Sequence, residues 1–210
     1  MRGRLRSAAI GAAILFLCVP RSNAAEWEWQ LKPFIAGTYG GESTFLFIRQ
    51  TQTLPPFDNY AHVAFGANAL FLGEIFGVEA DFGHTPGFFQ GTEATLVTDS
   101  GVTTVTGNVV VAMPRRLAQY TLRPYLVGGA GLMHIRYDTG PVLQVPLQTL
   151  SNLQAMDLGA GVTGFLTPRI GVSWDVRYFR SIDRTRENGQ SIGSEHLTFW
   201  RASMALAIRL

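Results

Sequence analysis

Hydrophobic and polar residues alternate along much of the chain with a period of two, which is the pattern of β-strands. The last stretch, residues 196–210, shows it most clearly. Its even-numbered positions from Trp200 to Leu210 are mostly large and uncharged, whereas its odd-numbered positions from Phe199 to Arg209 are mostly small or charged. This division of faces is typical of a strand that lies between lipid and the lumen of a membrane barrel.

The same alternation predicts eight strands. They lie near 31–41, 59–72, 75–85, 102–113, 121–137, 153–166, 169–181 and 195–210. Each run can supply the roughly 9–11 residues that a tilted membrane strand needs. The pattern predicts an all-β fold, an eight-stranded antiparallel up-and-down transmembrane β-barrel. Because the number of strands is even, we expect both termini on the periplasmic side.

The predicted connections alternate in length. The short ones are 73–74, 114–120 and 166–168, and the long ones are 42–58, 86–101, 138–152 and 182–194. Short periplasmic turns and longer outer loops are the usual asymmetry of bacterial barrels. We therefore expect the four long loops to face outward, where they would contact any extracellular ligand.

Charged residues inside the predicted strands mostly share a face with Gly, Ser or Thr. An Arg or Lys on the lipid face near the membrane midplane costs roughly 2–4 kcal/mol, so we expect these charges to face the lumen. The predicted lumen charge network is Lys32, Glu79, Asp81, Arg136, Asp157, Asp175, Arg177, Arg201 and Arg209. Because acids and bases are mixed and side chains largely fill a barrel of this size, we expect a plugged lumen.

Two short turns predict which inward side chains lie opposite each other. If the first turn has two residues, Asn68 lies opposite Glu79. If the third turn has three residues, Asp157 lies opposite Arg177. The second pairing predicts a cross-strand ion pair in the lumen.

The amino end has the three-part layout of a secretory signal peptide. Arg2, Arg4 and Arg6 give a basic start, and an apolar run follows over residues 8–19. Small residues then form a cleavage site, and we expect cleavage after Ala24 or Ala25. We therefore expect a signal peptide over 1–25 and a barrel domain over 26–210. Cys18 lies in the segment to be removed, so we expect no disulfide in the mature protein.

Composition limits the remaining functional classes. The formal net charge is only +2, which gives no basic field to attract nucleic acid. After residue 25, no apolar stretch approaches the ~20 residues of a transmembrane helix. A chain that crosses a membrane without such a helix must do so as a closed barrel, because lipid cannot satisfy the free edge of a sheet.

Five segments resemble a known family. They are 75–89 (IFGVEADFGHTPGFF), 106–114 (TGNVVVAMP), 123–131 (RPYLVGGAG), 171–180 (GVSWDVRYFR) and 199–210 (FWRASMALAIRL). In order and spacing they resemble the bacterial outer-membrane β-barrel family, the small eight-stranded OmpA/OmpX-type, porin-like barrels. The resemblance spans about residues 26–210. It implies a barrel in the bacterial outer membrane, surrounded by its lipid and inserted by the barrel assembly machinery, and we expect a monomer.

Two other patterns could suggest a cofactor or metal site, but we interpret both as structural. Residues 159–164 match the dinucleotide pattern G-x-G-x-x-G, but a β-rich run follows where that motif needs a helix. The histidines are scattered over different strands without the spacing of metal ligands. They are His62, His84, His134 and His196. We therefore expect neither a cofactor nor a metal site.

The sequence favours a structural or surface-interaction role for a mostly plugged barrel, with a narrow porin-like channel for small solutes as the alternative. A soluble periplasmic barrel of the lipocalin type would show similar alternation, but the loop asymmetry and the bulk of the apolar face favour the membrane.

An outer-membrane lipid-modifying enzyme is a further alternative, because rim serines and histidines could supply a nucleophile and its base. The candidate pairs are His84 with Ser100 or Ser43, and His196 with Ser194 or Ser191. No motif fixes these pairs, so we expect no enzymatic activity.

Overall fold

The structure is a computed structural model. It describes residues 27–40, 43–44, 61–88, 97–115, 117, 122–139, 148–182, 186–187, 190–191 and 196–210. The predicted signal peptide and much of the predicted long loops lie outside the described residues, and the domain boundary at 25/26 stays a prediction.

Eight long strands form one closed sheet. They are β1 (Glu28–Tyr39), β2 (His62–Leu72), β3 (Phe76–Pro86), β4 (Val97–Ala112), β5 (Leu122–Thr139), β6 (Gln148–Phe165), β7 (Ile170–Ser181) and β8 (His196–Arg209). Each strand pairs antiparallel with the next, and β1 pairs with β8. The predicted eight-stranded up-and-down barrel is therefore confirmed. Short extended segments accompany it: Ser43–Thr44 pairs with β8, and Arg186–Glu187 pairs with Gln190–Ser191.

Three strands are longer than the sequence predicted. β4 has 16 residues, and β5 and β6 have 18 each, more than the roughly 9–11 that cross a bilayer. They continue into the segments 86–101 and 138–152, which we had predicted as loops. The prediction ended too early because it relied on apolar alternation, whereas backbone pairing continues as far as Val97 opposite Thr139. The barrel wall is therefore tallest at β4, β5 and β6.

The register of the first hairpin differs from the prediction. Asn68 lies opposite Asp81 rather than Glu79, because the tip of the turn is residues 74–75 and Gly73 N donates to Phe76 O at 2.9 Å. The shift moves the pairing by two residues. Inward positions therefore stay inward, although each one faces a different partner.

The hairpin of β6 and β7 shows the same kind of shift. Arg177 lies opposite Gly159, so the predicted register, with Arg177 directly opposite Asp157, is wrong. The loop begins one residue later than predicted, since Thr167 N donates to Ile170 O at 3.0 Å and Ile170 N donates back to the Thr167 hydroxyl at 2.9 Å. These two bonds close a tight turn that the sequence did not specify.

The distribution of apolar and charged side chains is the reverse of that in a soluble protein. The outward face carries a belt of exposed apolar side chains that includes Val78, Val109, Leu126, Leu158, Trp174 and Met204. Leu158 is 69% exposed, whereas the inward Arg177 is 0% exposed. Apolar groups outside and charged groups inside are the arrangement of a barrel in lipid. Among the described residues, the structure contains no helix long and apolar enough to span a membrane.

The interior has apolar clusters on either side of its charges. One cluster lies towards the short turns and comprises Leu70, Leu72, Val110, Ala112, Tyr125 and Val127. The other lies towards the opposite end, where Phe88 packs against Val102, Met133, Ile135, Leu153, Ala155, Phe179, Leu197 and Phe199. The buried charges between them form the candidate site.

Candidate functional site: the charge network of the lumen

Arg177, on β7, is the centre of the network. Its Nη1 donates to Glu79 Oε1 at 2.6 Å and its Nη2 donates to Asp175 Oδ2 at 3.0 Å. Nη1 also lies 3.6 Å from Asp81 Oδ2 and 3.7 Å from Asp157 Oδ2. Asp157 lies on β6, the strand next to β7, so the predicted ion pair between Asp157 and Arg177 is present, although it runs diagonally between positions that are two residues out of register. Because β3 and β7 are four strands apart in an eight-stranded barrel, the bond to Glu79 spans the lumen.

Arg201, on β8, makes a second connection to β3. Its Nη1 and Nη2 donate to the two carboxylate oxygens of Asp81 at 3.1 and 2.6 Å. Its guanidinium also lies 4.6 Å from the ring centroid of Phe34 and 4.8 Å from that of Phe179. A bidentate pair whose guanidinium also contacts two aromatic rings is a strong and directional contact for a buried arginine.

Neutral side chains extend the network. The Tyr125 hydroxyl donates to Asp175 Oδ2 at 3.1 Å, and the Ser203 hydroxyl donates to Asp175 Oδ1 at 2.6 Å. Lys32 Nζ donates to the Thr163 hydroxyl at 3.2 Å and lies 4.8 Å from the centroid of the Tyr125 ring. A search for charged residues missed these hydroxyl groups, although their inward positions in the alternation were visible in the sequence.

Arg136 is not part of this network, and its predicted inward position is wrong. It is exposed on the outer face of β5. Met133 and Ile135 occupy the inward odd-numbered positions instead, and both are completely buried. The prediction placed Arg136 in the lumen because it is charged. An outward charge is costly only within the membrane, however, and not where a strand continues beyond it.

Arg209 belongs to a separate cluster near the short turns. Its Nε lies 2.6 Å from Glu28 Oε2, and the same carboxylate group contacts Arg115 at 3.0 Å and Arg123 at 3.2 Å. The Arg209 guanidinium also lies 3.8 Å from the centroid of the Phe165 ring. Glu28 and Arg123 were missed because they lie at or beyond the ends of the predicted strands.

The G-x-G-x-x-G pattern lies in β6, and its glycines leave space for large side chains of the charge network. A Cβ on Gly159 would lie 2.7 Å from Arg177 Cγ, and a Cβ on Gly161 would lie 2.6 Å from the Tyr125 hydroxyl oxygen. Both distances are shorter than van der Waals contact. These glycines therefore admit large inward side chains, and the segment is a strand rather than a phosphate-binding turn.

The histidine and serine pairs proposed for catalysis do not assemble where the structure describes them. His84 lies on the outer face, 2.8 Å from the Thr103 hydroxyl, whereas Ser100 is buried inside the barrel. A nucleophile and its base must be within hydrogen-bond reach, and these two side chains point to opposite faces. Ser43 and the pairs of His196 lie outside the described side chains. Among the described residues, no group of three or more His, Cys, Asp or Glu could hold a metal ion.

The closed antiparallel sheet, the outward apolar belt and the charged interior together define a transmembrane β-barrel of the small outer-membrane type. No protein-family model matches the chain, and no curated protein matches it in sequence. Solved structures do match it. Neisserial surface protein A superposes with a TM-score of 0.61 at 11% identity, covering 87% of this chain and 97% of the other. Ail of Yersinia pestis, bound to the heparin analogue sucrose octasulfate, superposes with a TM-score of 0.51 at 14% identity, covering 87% and 99%. The chain therefore has the fold of the eight-stranded outer-membrane barrels, as its sequence resemblance implied.

Proposed function

We propose that the protein is a structural or surface-interaction barrel of the bacterial outer membrane, with a lumen that is closed to solutes. The observation that carries this proposal is the bond from Arg177 on β7 to Glu79 on β3, which crosses the lumen between two completely buried side chains. Arg201 and Asp81 form a second crossing, and apolar clusters lie on both sides of the charges. We expect side chains that fill the interior in this way to block a continuous water path.

Recording from refolded protein in planar bilayers tests the closed lumen. We expect no reproducible conductance from the wild type. Replacing both partners of the crossing, in Glu79→Ala/Arg177→Ala, removes the bond without changing the net charge of the network and should produce small conductance steps. Arg180→Ala on the outer face of β7 is the matched control and should stay silent. Reproducible conductance of the wild type would instead support a narrow porin-like channel.

The proposed working surface is the end of the barrel opposite the short turns. β4, β5 and β6 extend furthest there, and the four long connections join the strands at the same end. Loops on a rigid scaffold are where binding residues concentrate, so we propose that this end contacts an extracellular ligand. Replacing residues 140–147 by a Gly-Ser linker should reduce binding of the extracellular ligand at the cell surface without changing the amount of folded barrel. Unchanged binding would show that this segment is not part of the binding surface.

The surroundings of the barrel follow from the same proposal. Outer-membrane lipid contacts the apolar belt, the barrel assembly machinery inserts the chain, and the protein acts as a monomer with both termini in the periplasm. His84 and Ser100 lie on opposite faces of the barrel wall, so this pair does not support a lipid-modifying activity. The exposed belt also argues against a soluble lipocalin-type barrel. Detergent should be required for extraction, and release by osmotic shock alone would contradict the membrane assignment.

A further inference from the structure

Phe88, just after the end of β3, lies on the opposite side of the barrel wall from the one that the alternation of its strand predicts. The even-numbered residues of β3, from Phe76 to Pro86, face outward. Continued alternation would place Phe88 outside as well. Its ring instead packs against the apolar cluster inside the barrel, at the end opposite the short turns. The chain must therefore change direction between Pro86 and Phe88.

The backbone of Gly87 makes this change of direction. Its φ is +66°, in the left-handed region that residues with a side chain rarely adopt. Its N–H donates to the carbonyl oxygen of Ser100 at 2.7 Å, which ties the turn to β4. Extended strand residues have a strongly negative φ. The conformation of one glycine therefore decides whether Phe88 lies inside or outside the barrel.

The ring of Phe88 reaches across the lumen. Its centroid lies 5.2 Å from that of Phe199 on β8, in an edge-on contact, and 5.8 Å from that of His62 on β2. Because β2 and β1 separate β3 from β8 in the closed sheet, the contact between Phe88 and Phe199 spans the interior. Phe88 thus makes an apolar crossing from the same strand that carries the ionic crossing of Asp81.

The rings form a layer over the ion pair of Arg201 and Asp81. Phe199 stacks on Phe179 with centroids 5.0 Å apart, and Phe179 lies 4.8 Å from the guanidinium of Arg201. Phe179 and Phe199 are 0% and 2% exposed, whereas Phe88 is half-buried at the end of its strand. A cover of rings that excludes water strengthens a charge pair beneath it. Phe88 is therefore placed to control the access of water to this pair.

We propose that Phe88 is a gate over the lumen, hinged at Gly87, which closes this end of the barrel separately from the ion pairs beneath it. Turning Gly87 to an extended conformation would carry the Phe88 ring from the lumen to the outer wall. This movement breaks no ion pair of the central network. The inference deepens the proposed closed lumen and rests on it, because it adds a movable barrier to the fixed one.

A thiol placed beneath the ring tests the gate. Ala155 is completely buried in the cluster against which Phe88 packs. The full chain with Ala155→Cys and Cys18→Ser is refolded in detergent micelles and treated with a charged methanethiosulfonate reagent. We expect a slow reaction while Gly87 and Phe88 are present. Gly87→Val should accelerate it by about tenfold, because a β-branched side chain disfavours the left-handed conformation.

Gly87→Asn is the matched control for the hinge, because asparagine tolerates the left-handed conformation, and it should react slowly. Phe88→Ala removes the ring without changing the hinge, and it should react at least as fast as Gly87→Val. Phe82→Ala, which removes an outward ring from the same strand, should leave the reaction slow. The gel mobility of each unheated variant shows that it is folded before the thiol is measured.

The outcomes separate the gate from the closed lumen. A reaction that is slow in every variant overturns the gate and leaves the closed lumen intact. A reaction that is already fast with Gly87 and Phe88 present overturns both. Equal acceleration by Gly87→Asn and Gly87→Val overturns the hinge, because the conformation of the backbone would then not decide the position of the ring.

Discussion

At the scale of single residues, inward arginines and inward glycines determine the packing of the lumen. Arg177 satisfies Glu79 and Asp175 with short bonds, and Gly159 leaves the space through which the Arg177 stem passes. Neither residue can change without disturbing the other. The residue scale is therefore where the network is most sensitive to substitution.

Arg177→Ala should destabilise the barrel by about 3–5 kcal/mol, because it leaves buried carboxylates without their cation. Urea unfolding in lipid vesicles measures the loss. Arg180→Ala, exposed on the same strand, should change the free energy of unfolding by less than about 0.5 kcal/mol. If both variants lose the same amount, the buried bonds do not stabilise the barrel.

Gly159→Ala should destabilise the barrel by about 1–3 kcal/mol, because its Cβ would be forced against Arg177 and the backbone of Val176. The same unfolding measurement applies. Gly107→Ala is the control, since a Cβ there meets no atom of the described residues within 4 Å. An equal effect at both sites would show that strand propensity, rather than space for Arg177, determines the outcome.

At the scale of elements, the short turns are held by side chains from other strands. Arg123, on β5, donates to the carbonyl oxygens of Gly73 at 2.8 Å, Glu74 at 2.7 Å and Met113 at 3.0 Å. These bonds fix two of the short turns at once. They fit the observed tip at residues 74–75, which differs from the tip that local turn preference predicted.

Arg123→Lys should loosen the turn between β2 and β3, because an ammonium cannot reproduce the fork of guanidinium donors. We expect faster hydrogen exchange at the amide of Gly73, measured by NMR in micelles, and little change at the centre of β3. Arg169→Lys, exposed in the turn between β6 and β7, is the control. Unchanged exchange at Gly73 would show that the backbone alone holds the turn.

At the scale of the whole molecule, the apolar belt fixes how the barrel lies in the membrane. Val105 is 51% exposed near the middle of the outward face of β4, and Met113 is 40% exposed beyond its end. Val105→Arg should therefore cost about 2–4 kcal/mol and Met113→Arg about 0–1 kcal/mol in vesicle unfolding. Equal costs would contradict this position of the belt.

Orientation is also a property of the whole molecule. An epitope inserted within 140–147 should bind antibody on intact cells, because the long connections are proposed to lie outside. The same epitope inserted between Thr167 and Pro168 should bind only after the outer membrane is permeabilised. The reverse pattern of antibody binding would show that the barrel has the opposite orientation in the membrane.

The sequence by itself determined the number of strands and the face of most residues. A period of two survives the register shifts seen here, because a shift by two residues keeps every side chain on its face. The inward positions of Glu79, Asp175 and Arg201 were therefore predictable. Arg136 was not, because its strand continues past the membrane, where a charge no longer indicates the lumen.

Only the tertiary structure decided which inward side chains meet. Arg177 bonds to Glu79 on the opposite wall, and Arg201 bonds to Asp81 three strands away. Such contacts depend on the curvature and closure of the sheet rather than on separation along the chain. Local turn preference predicted neighbours on adjacent strands, whereas long side chains in a narrow closed barrel reach across the lumen.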